Sequence, residues 1–158
     1  MIFIIKEKQE RLVSQNKKAF HDYFIEEIFQ AGIALVGTEV KSLRAGRCNL
    51  KESYIKIEGN DALIEGMHIS LYDHGNIHNH SPVRRRRLLL HRREINRLRA
   101  AVTREGFTIV PIKVYFVRSL VKLDIALARG KKPFDKREAG AKKTQQREAA
   151  KEFRAAFK

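Results

Sequence analysis

Residues 112–128 read Ile112-Lys113-Val114-Tyr115-Phe116-Val117-Arg118-Ser119-Leu120-Val121-Lys122-Leu123-Asp124-Ile125-Ala126-Leu127-Ala128, and this stretch decides the fold. Val121, Leu123, Ile125 and Leu127 alternate with Lys122, Asp124, Ala126 and Ala128. That is the period of two of a strand with one wet face. Ile112, Val114 and Phe116 alternate in the same way with Lys113 and Tyr115. The polar break at Arg118-Ser119 joins the two runs into a hairpin, although no Asn-Gly or Gly-Gly marks the turn.

Working outward, Tyr54–Glu58 and residues 62–67 form a second pair, joined by the turn residues Gly59-Asn60-Asp61. A longer apolar stretch covers residues 23–36, with a kink expected around Gly32. Thr38 is placed to cap a short helix carrying Val40 and Leu43 and ending near Gly46. Ile95, Leu98 and Val102 have the i, i+3, i+7 spacing of a second helix that stops at Gly106. About six short strands with a helix between hairpins predict a mainly β fold, an OB-like β-barrel with two or three accessory helices.

Charge narrows the partner. The chain has 158 residues and 33 Lys+Arg against 18 Asp+Glu, a formal net charge of +15. Such an excess draws in polyanions, of which nucleic acid and anionic membranes are the ordinary examples. The single cysteine, Cys48, excludes a disulfide-stapled secreted scaffold. The apolar start, residues 1–5, has no basic residue before it and is too short for a signal core or a membrane span. A cytoplasmic protein without a membrane partner is expected.

The excess also divides the chain. Residues 130–158 hold ten Lys/Arg, four Asp/Glu and no Val, Ile, Leu or Met, only Phe134, Phe153 and Phe157 as large apolar groups. Ordering a residue costs roughly 1–2 kcal/mol of backbone entropy. Three buried phenylalanines return only about 1.5–3 kcal/mol each. We expect this basic tail to be disordered when free and helical against a surface of phosphates. The expected organisation is an N-terminal extension over 1–14, the barrel over 15–129 and the tail over 130–158.

Five constellations bear on chemistry. Arg84-Arg85-Arg86-Arg87, with Arg92 and Arg93 beyond, reads as a set that binds RNA phosphates, since guanidinium forks match phosphate oxygens. For each arginine singly, a solvated loop charge is the competing reading. Asn16-Lys17-Lys18 followed by Phe20, His21, Tyr23 and Phe24 places cations beside flat rings, as stacking on unpaired bases requires. The competing reading buries Phe20 and Phe24 and leaves Tyr23 partly exposed. His74, His78 and His80 lack a fourth ligand at a recognised spacing, so neither metal nor cofactor is expected. His21 with Lys122 has the groups for acid–base cleavage of RNA. Glu26 and Glu27 are neighbours, which a strand points to opposite faces. No nucleophile elbow or dinucleotide fingerprint is present, and we do not expect an enzyme.

The ordered run of motifs resembles the SmpB family, the bacterial SsrA-binding proteins. The resemblance rests on Asn16-Lys17-Lys18-Ala19, His21-Asp22-Tyr23-Phe24-Ile25-Glu26-Glu27, Ala31-Gly32-Ile33 and Gly37-Thr38-Glu39-Val40-Lys41-Ser42-Leu43-Arg44. It continues through Asn49-Leu50, Ser53-Tyr54, His80, Pro82, Leu88-Leu89-Leu90-His91 and Glu94-Ile95, and ends in Gly130-Lys131-Lys132 and Asp135-Lys136-Arg137-Glu138. It implies an OB-type barrel that binds the tRNA-like domain of transfer-messenger RNA and delivers it to stalled ribosomes, with the tail entering the vacant message channel. Carried over by position, the implied RNA contacts are Asn16, Lys17, Lys18, His21, Tyr23, Gln30, Gly32, Lys41, Arg44, Asn49, Tyr54, Leu89, Lys122, Gly130, Lys131 and Lys132. Asp135, Lys136 and Arg137 would engage the decoding region of the small subunit. Gln30 stands where the family often has glutamate, and the turn near Ser119 lacks the glycine often found there. A second reading of Leu89 packs it in the core. A monomer is expected, and the rival function is a ribosomal protein bound to its RNA at all times.

Overall fold

The computed structural model describes residues 10–72 and 81–131. In chain order the elements are β1 (Glu10–Gln15), α1 (Lys17–Asp22), β2 (Tyr23–Ile33), α2 (Gly37–Arg44), β3 (Cys48–Asn49), β4 (Tyr54–Glu58), β5 (Asp61–Glu65), β6 (His68–Ile69), β7 (Arg86–Leu89), α3 (Arg92–Glu105), β8 (Thr108–Val117) and β9 (Leu120–Gly130). The alternating runs at 112–128 become β8 and β9, an antiparallel hairpin paired from Thr108↔Ala128 to Val117↔Leu120. Arg118 takes the left-handed conformation at its turn, φ 58°, where a glycine would sit without strain.

β8 carries β9 along one edge and shares the other between β4 and β1. From β4 the pairing passes through β5, β7 and β2 back to β9, so six strands close into a ring with β1 outside it. Among the described residues the architecture is mainly β with three helices, within the two or three expected beside a strand ring. In the core, Ile64, Leu88, Leu123, Ile125 and Leu127 of the ring strands and Leu98 of α3 are fully buried, each worth about 1.5–3 kcal/mol of transfer free energy. Residues 10–15 run as β1, paired with β8 from Glu10↔Val117 to Gln15↔Lys113.

Three local expectations are corrected. Gly32 does not kink its strand; it stays paired on both edges, and the irregularity is a bulge between Ile25 and Glu27. The reason for the glycine is close approach, since a Cβ there would lie 3.1 Å from Leu89 Cβ. Thr38 sits inside the first turn of α2, while Val36 takes the cap position and donates its N–H to Glu39 Oε1 at 3.1 Å. α3 buries Ile95, Leu98 and Ala101 rather than Val102, which faces solvent. Its end falls where expected, with Gly106 at φ 71° in the left-handed cap.

Candidate nucleic-acid interface

The strand period puts residues 30 and 32 of β2 on the outside of the ring, because Ala31 and Ile33 face the core. Register does the rest. Gly32 lies opposite Lys122 on β9 and opposite Leu89 on β7. Gln30, Gly32, Leu89 and Lys122 thereby come together, with Arg87 and His91, in an open cleft of about 380 Å³. Leu89 is 56% exposed, which rejects its reading as a core residue. Lys122 makes no ion pair with a described residue. An apolar side chain beside such an ammonium suits a nucleotide, whose faces are flat and whose phosphates are charged.

The other end of the same strand pair holds the first motif. Tyr23 is opposite Gly130, and the Lys131 N–H donates to the Asp22 carbonyl at 2.7 Å. Lys131 Nζ also donates to the Phe20 carbonyl at 3.2 Å and stands 5.1 Å from the Phe24 ring centre. Phe20 and Phe24 are 43% and 49% exposed, so the rings are available for stacking and the buried reading fails. Lys17 is exposed, and His21 Nδ1 lies 3.0 Å from Asp22 Oδ1. Lys18 is bonded to Glu52 at 2.7 Å, which raises the lysine pKa and lowers that of the glutamate. Asn16 differs from its neighbours. It is buried, its Nδ2 donates to the Pro111 carbonyl at 3.0 Å and its Oδ1 accepts from the Ala19 N–H at 3.3 Å. Both ends of its amide hold α1 in place, so it positions Lys17 and Lys18.

A third group lies elsewhere and none of it lines the cleft. Lys41 stands 5.2 Å from the Tyr72 ring centre. Arg44 follows on α2, its carbonyl accepting from Arg11 at 2.6 Å. Asn49 Oδ1 accepts from the Lys51 N–H at 2.8 Å. The exposed Tyr54 donates its hydroxyl to Glu65, a bond that raises the phenol pKa. Lys132, Asp135, Lys136 and Arg137 lie outside the described residues, as do His74, His78 and His80.

The arginine run behaves unlike the expectation for it. Arg86 is 1% exposed and bonds Glu39, the Met67 carbonyl at 2.7 Å and the Pro82 carbonyl at 3.0 Å. Arg84 also bonds Glu39, Arg85 reaches Glu58 and Glu65, and Arg87 lies 3.1 Å from Asp61. Each of these four guanidiniums has a carboxylate of its own body, so residues 84–87 are not a free phosphate cradle, whereas the exposed Arg92 and Arg93 make no ion pair with a described residue. Burial pushes the Glu39 carboxyl up. Hydrogen bonds from Arg84, the Val36 N–H and Arg86 outweigh it and hold the carboxyl below its ordinary value.

The candidate nuclease pair is also dismantled. His21 precedes Tyr23 at the Gly130 end, and Lys122 is eight residues along β9, about 25 Å away at strand rise. Glu26 and Glu27 face different arginines, Arg129 and Arg97.

Two features have no counterpart in the reading of the sequence. Gln30 Nε2 donates to the Tyr115 hydroxyl at 2.6 Å, and that hydroxyl donates to Asp124 Oδ1 at 2.7 Å. Burial, then the bond to Asp124, pushes the Tyr115 phenol up to about 12. The period of two already puts 115 and 124 on one face; only the pairing register is missing from it. The second feature is Glu52, at φ 65° beside Lys18, for which the sequence holds no signal.

Comparison with known proteins agrees with this geometry. Residues 13–155 match the family model described as SmpB protein. An SsrA-binding protein of Caldanaerobacter subterraneus subsp. tengcongensis is 55% identical over 150 residues, covering 94% of this chain and 95% of that one. One from Anoxybacillus flavithermus is 51% identical, covering 91% and 94%. Among solved structures, a chain from "tmRNA-SmpB: a journey to the center of the bacterial ribosome" superposes with a TM-score of 0.65 at 44% identity. It covers 80% of this chain and 92% of its own. With ordered motifs, closed strand ring and near full-length likeness in agreement, the chain belongs to the SmpB family.

Proposed function

We propose that this protein binds the tRNA-like domain of transfer-messenger RNA and delivers it to stalled ribosomes for trans-translation. The observation that carries the reading is the cleft where Gly32 lets exposed Leu89 approach beside Lys122, an ammonium with no ion pair among the described residues. The relatives named above are SsrA-binding proteins, and the structural neighbour is described with transfer-messenger RNA and the ribosome. Lys17, Lys18, His21, Tyr23, Gly130 and Lys131 then form one contact region and Gln30, Gly32, Leu89 and Lys122 another. About 25 Å separates them, enough to span several nucleotides. Phosphate contacts supply affinity, while stacking on Phe24 and Tyr23 and fit at the cleft supply selectivity. Lys41, Arg44, Asn49 and Tyr54 extend the contact on α2, β3 and β4.

The protein acts by binding, without catalysis, in the cytoplasm where ribosomes work. Residues 130–158, at a net +6, enter the vacant message channel in this reading, with Asp135, Lys136 and Arg137 at the decoding region. The test is a titration against transfer-messenger RNA and an unrelated RNA of equal length at several salt concentrations. Tight binding to the first alone, surviving high salt and returning intact RNA, supports the reading. Equal and steeply salt-sensitive binding to both overturns it, and co-sedimentation with every ribosome, stalled or not, would establish a constitutive ribosomal protein.

A further inference from the structure

The side-chain chain Gln30–Tyr115–Asp124 reaches the cleft at Gln30 alone and has a direction. A phenol owns one proton. Tyr115 gives it to Asp124 Oδ1 at 2.7 Å, so its oxygen can only accept from Gln30, and the amide must turn its NH₂ inward. The Gln30 carbonyl oxygen is then left for the cleft that the residue lines. Burial supports the direction, because a phenol pushed up to about 12 keeps its proton at every working pH. Lys113 fixes the far end, its ammonium 3.8 Å from Asp124 Oδ2, 4.0 Å from Glu10 Oε2 and 4.9 Å from the Tyr115 ring centre.

We infer that Tyr115 and Asp124 are positioning residues that hold Gln30 with its carbonyl oxygen as a hydrogen-bond acceptor toward the cleft, selecting a donor on the RNA beside the phosphate held by Lys122. The donor is a ribose 2′-hydroxyl or a base amino group, which share this chemistry. The inference rests on the proposed RNA-binding role. A carboxylate at position 30 would bring a second pure acceptor to a phenol whose one proton is already committed to Asp124.

The test uses the full chain. Wild type is first titrated against transfer-messenger RNA and an equal-length control; absence of preference there counts against the function, and leaves the remaining arms readable. Tyr115→Phe keeps the buried ring and removes both hydrogen bonds. It should expose the Gln30 side-chain amide protons to solvent exchange by NMR and weaken binding roughly tenfold without changing the salt slope. Gln30→Glu should weaken binding by a similar factor, and adding Asp124→Asn should restore most of it. The new amide donates to Tyr115 and frees the phenol proton for the introduced carboxylate. That pair of variants leaves the core untouched and stands even where Tyr115→Phe folds poorly. An RNA with 2′-O-methyl groups assigns the donor: a wild-type advantage over Tyr115→Phe that vanishes marks the hydroxyl, and one that persists marks the base. Wild-type affinity for Tyr115→Phe on both RNAs, or a Gln30→Glu loss that Asp124→Asn does not repair, overturns the inference.

Discussion

Residues 84–87 set four guanidiniums in a row and every one meets a carboxylate of the body, whereas Lys17 and Lys122 have no ion pair with a described residue. The denser cluster is the less available one. β7 lies between β5 and β2, and its period of two turns Arg86 and Leu88 inward and Arg87 and Leu89 outward. An arginine facing the inside of a strand ring must find a buried anion and acceptors, and Glu39 with two backbone carbonyls supplies them. Arg85 and Arg87 face outward, but Glu58, Glu65 and Asp61 on the neighbouring hairpin reach them first. Cation density along a chain therefore does not measure capacity for phosphate. What counts is which face each cation occupies and whether a carboxylate lies across the ladder.

The most forceful way to break the contrast is Glu39→Gln. Losing the anion strands Arg86 in the interior and loosens Arg84, and breaking a buried pair from one side costs roughly 3–5 kcal/mol. We expect a large drop in thermal midpoint, while any folded fraction keeps the wild-type salt slope for RNA. Acid should imitate the substitution. The Glu39 carboxyl is held below its ordinary value, so its contribution is complete above 4.5 and is lost as pH falls through the lower folded value. A Glu39→Gln protein as stable as wild type at neutral pH, or a variant losing stability as steeply in acid, would remove this cluster from the stability account.

The ring of strands is legible in the sequence because alternation is local: 121–127 and 112–116 declare their own faces. Gly106 is legible as a helix end for the same reason. The arginine run misleads because its partners are 20 to 47 residues away, Arg85 on Glu65 and Arg86 on Glu39 among them. No local pattern encodes such a pairing. Leu89 and Phe24 can be assigned to the outside only once register is known, since a lone apolar residue on a strand has no side until its neighbours do. Of the site, resemblance names the residues, but the meeting of Gln30, Gly32, Leu89 and Lys122 in one cleft comes from the β2 ladders with β7 and β9.

The contrast sharpens when charges are removed two at a time. Lys17→Ala with Lys122→Ala should leave the thermal midpoint nearly unchanged and weaken RNA binding by more than tenfold. The salt slope should fall by about 0.7–0.9 for each phosphate no longer neutralised. Arg85→Ala with Arg87→Ala removes the same charge, yet should change the slope far less, because those guanidiniums already hold carboxylates. Equal slopes for the two double variants would show that both regions meet phosphate alike.

The smallest effect belongs to Lys18, which is intermediate between the two classes: exposed like Lys17, but paired like the arginines. Its partner Glu52 stands at φ 65°, a conformation that costs an L residue strain and places the carboxylate over the lysine. A phosphate arriving at Lys18 must displace that carboxylate. Glu52→Gln keeps the backbone and the length of the side chain while removing the competing charge, so it should strengthen RNA binding about two- to fivefold at low salt, an advantage that fades as salt screens the pair. The thermal midpoint should scarcely move, since the pair is solvent-exposed. Unchanged affinity at low salt would mean that Lys18 is no RNA ligand and serves only to tie α1 to the turn at Glu52.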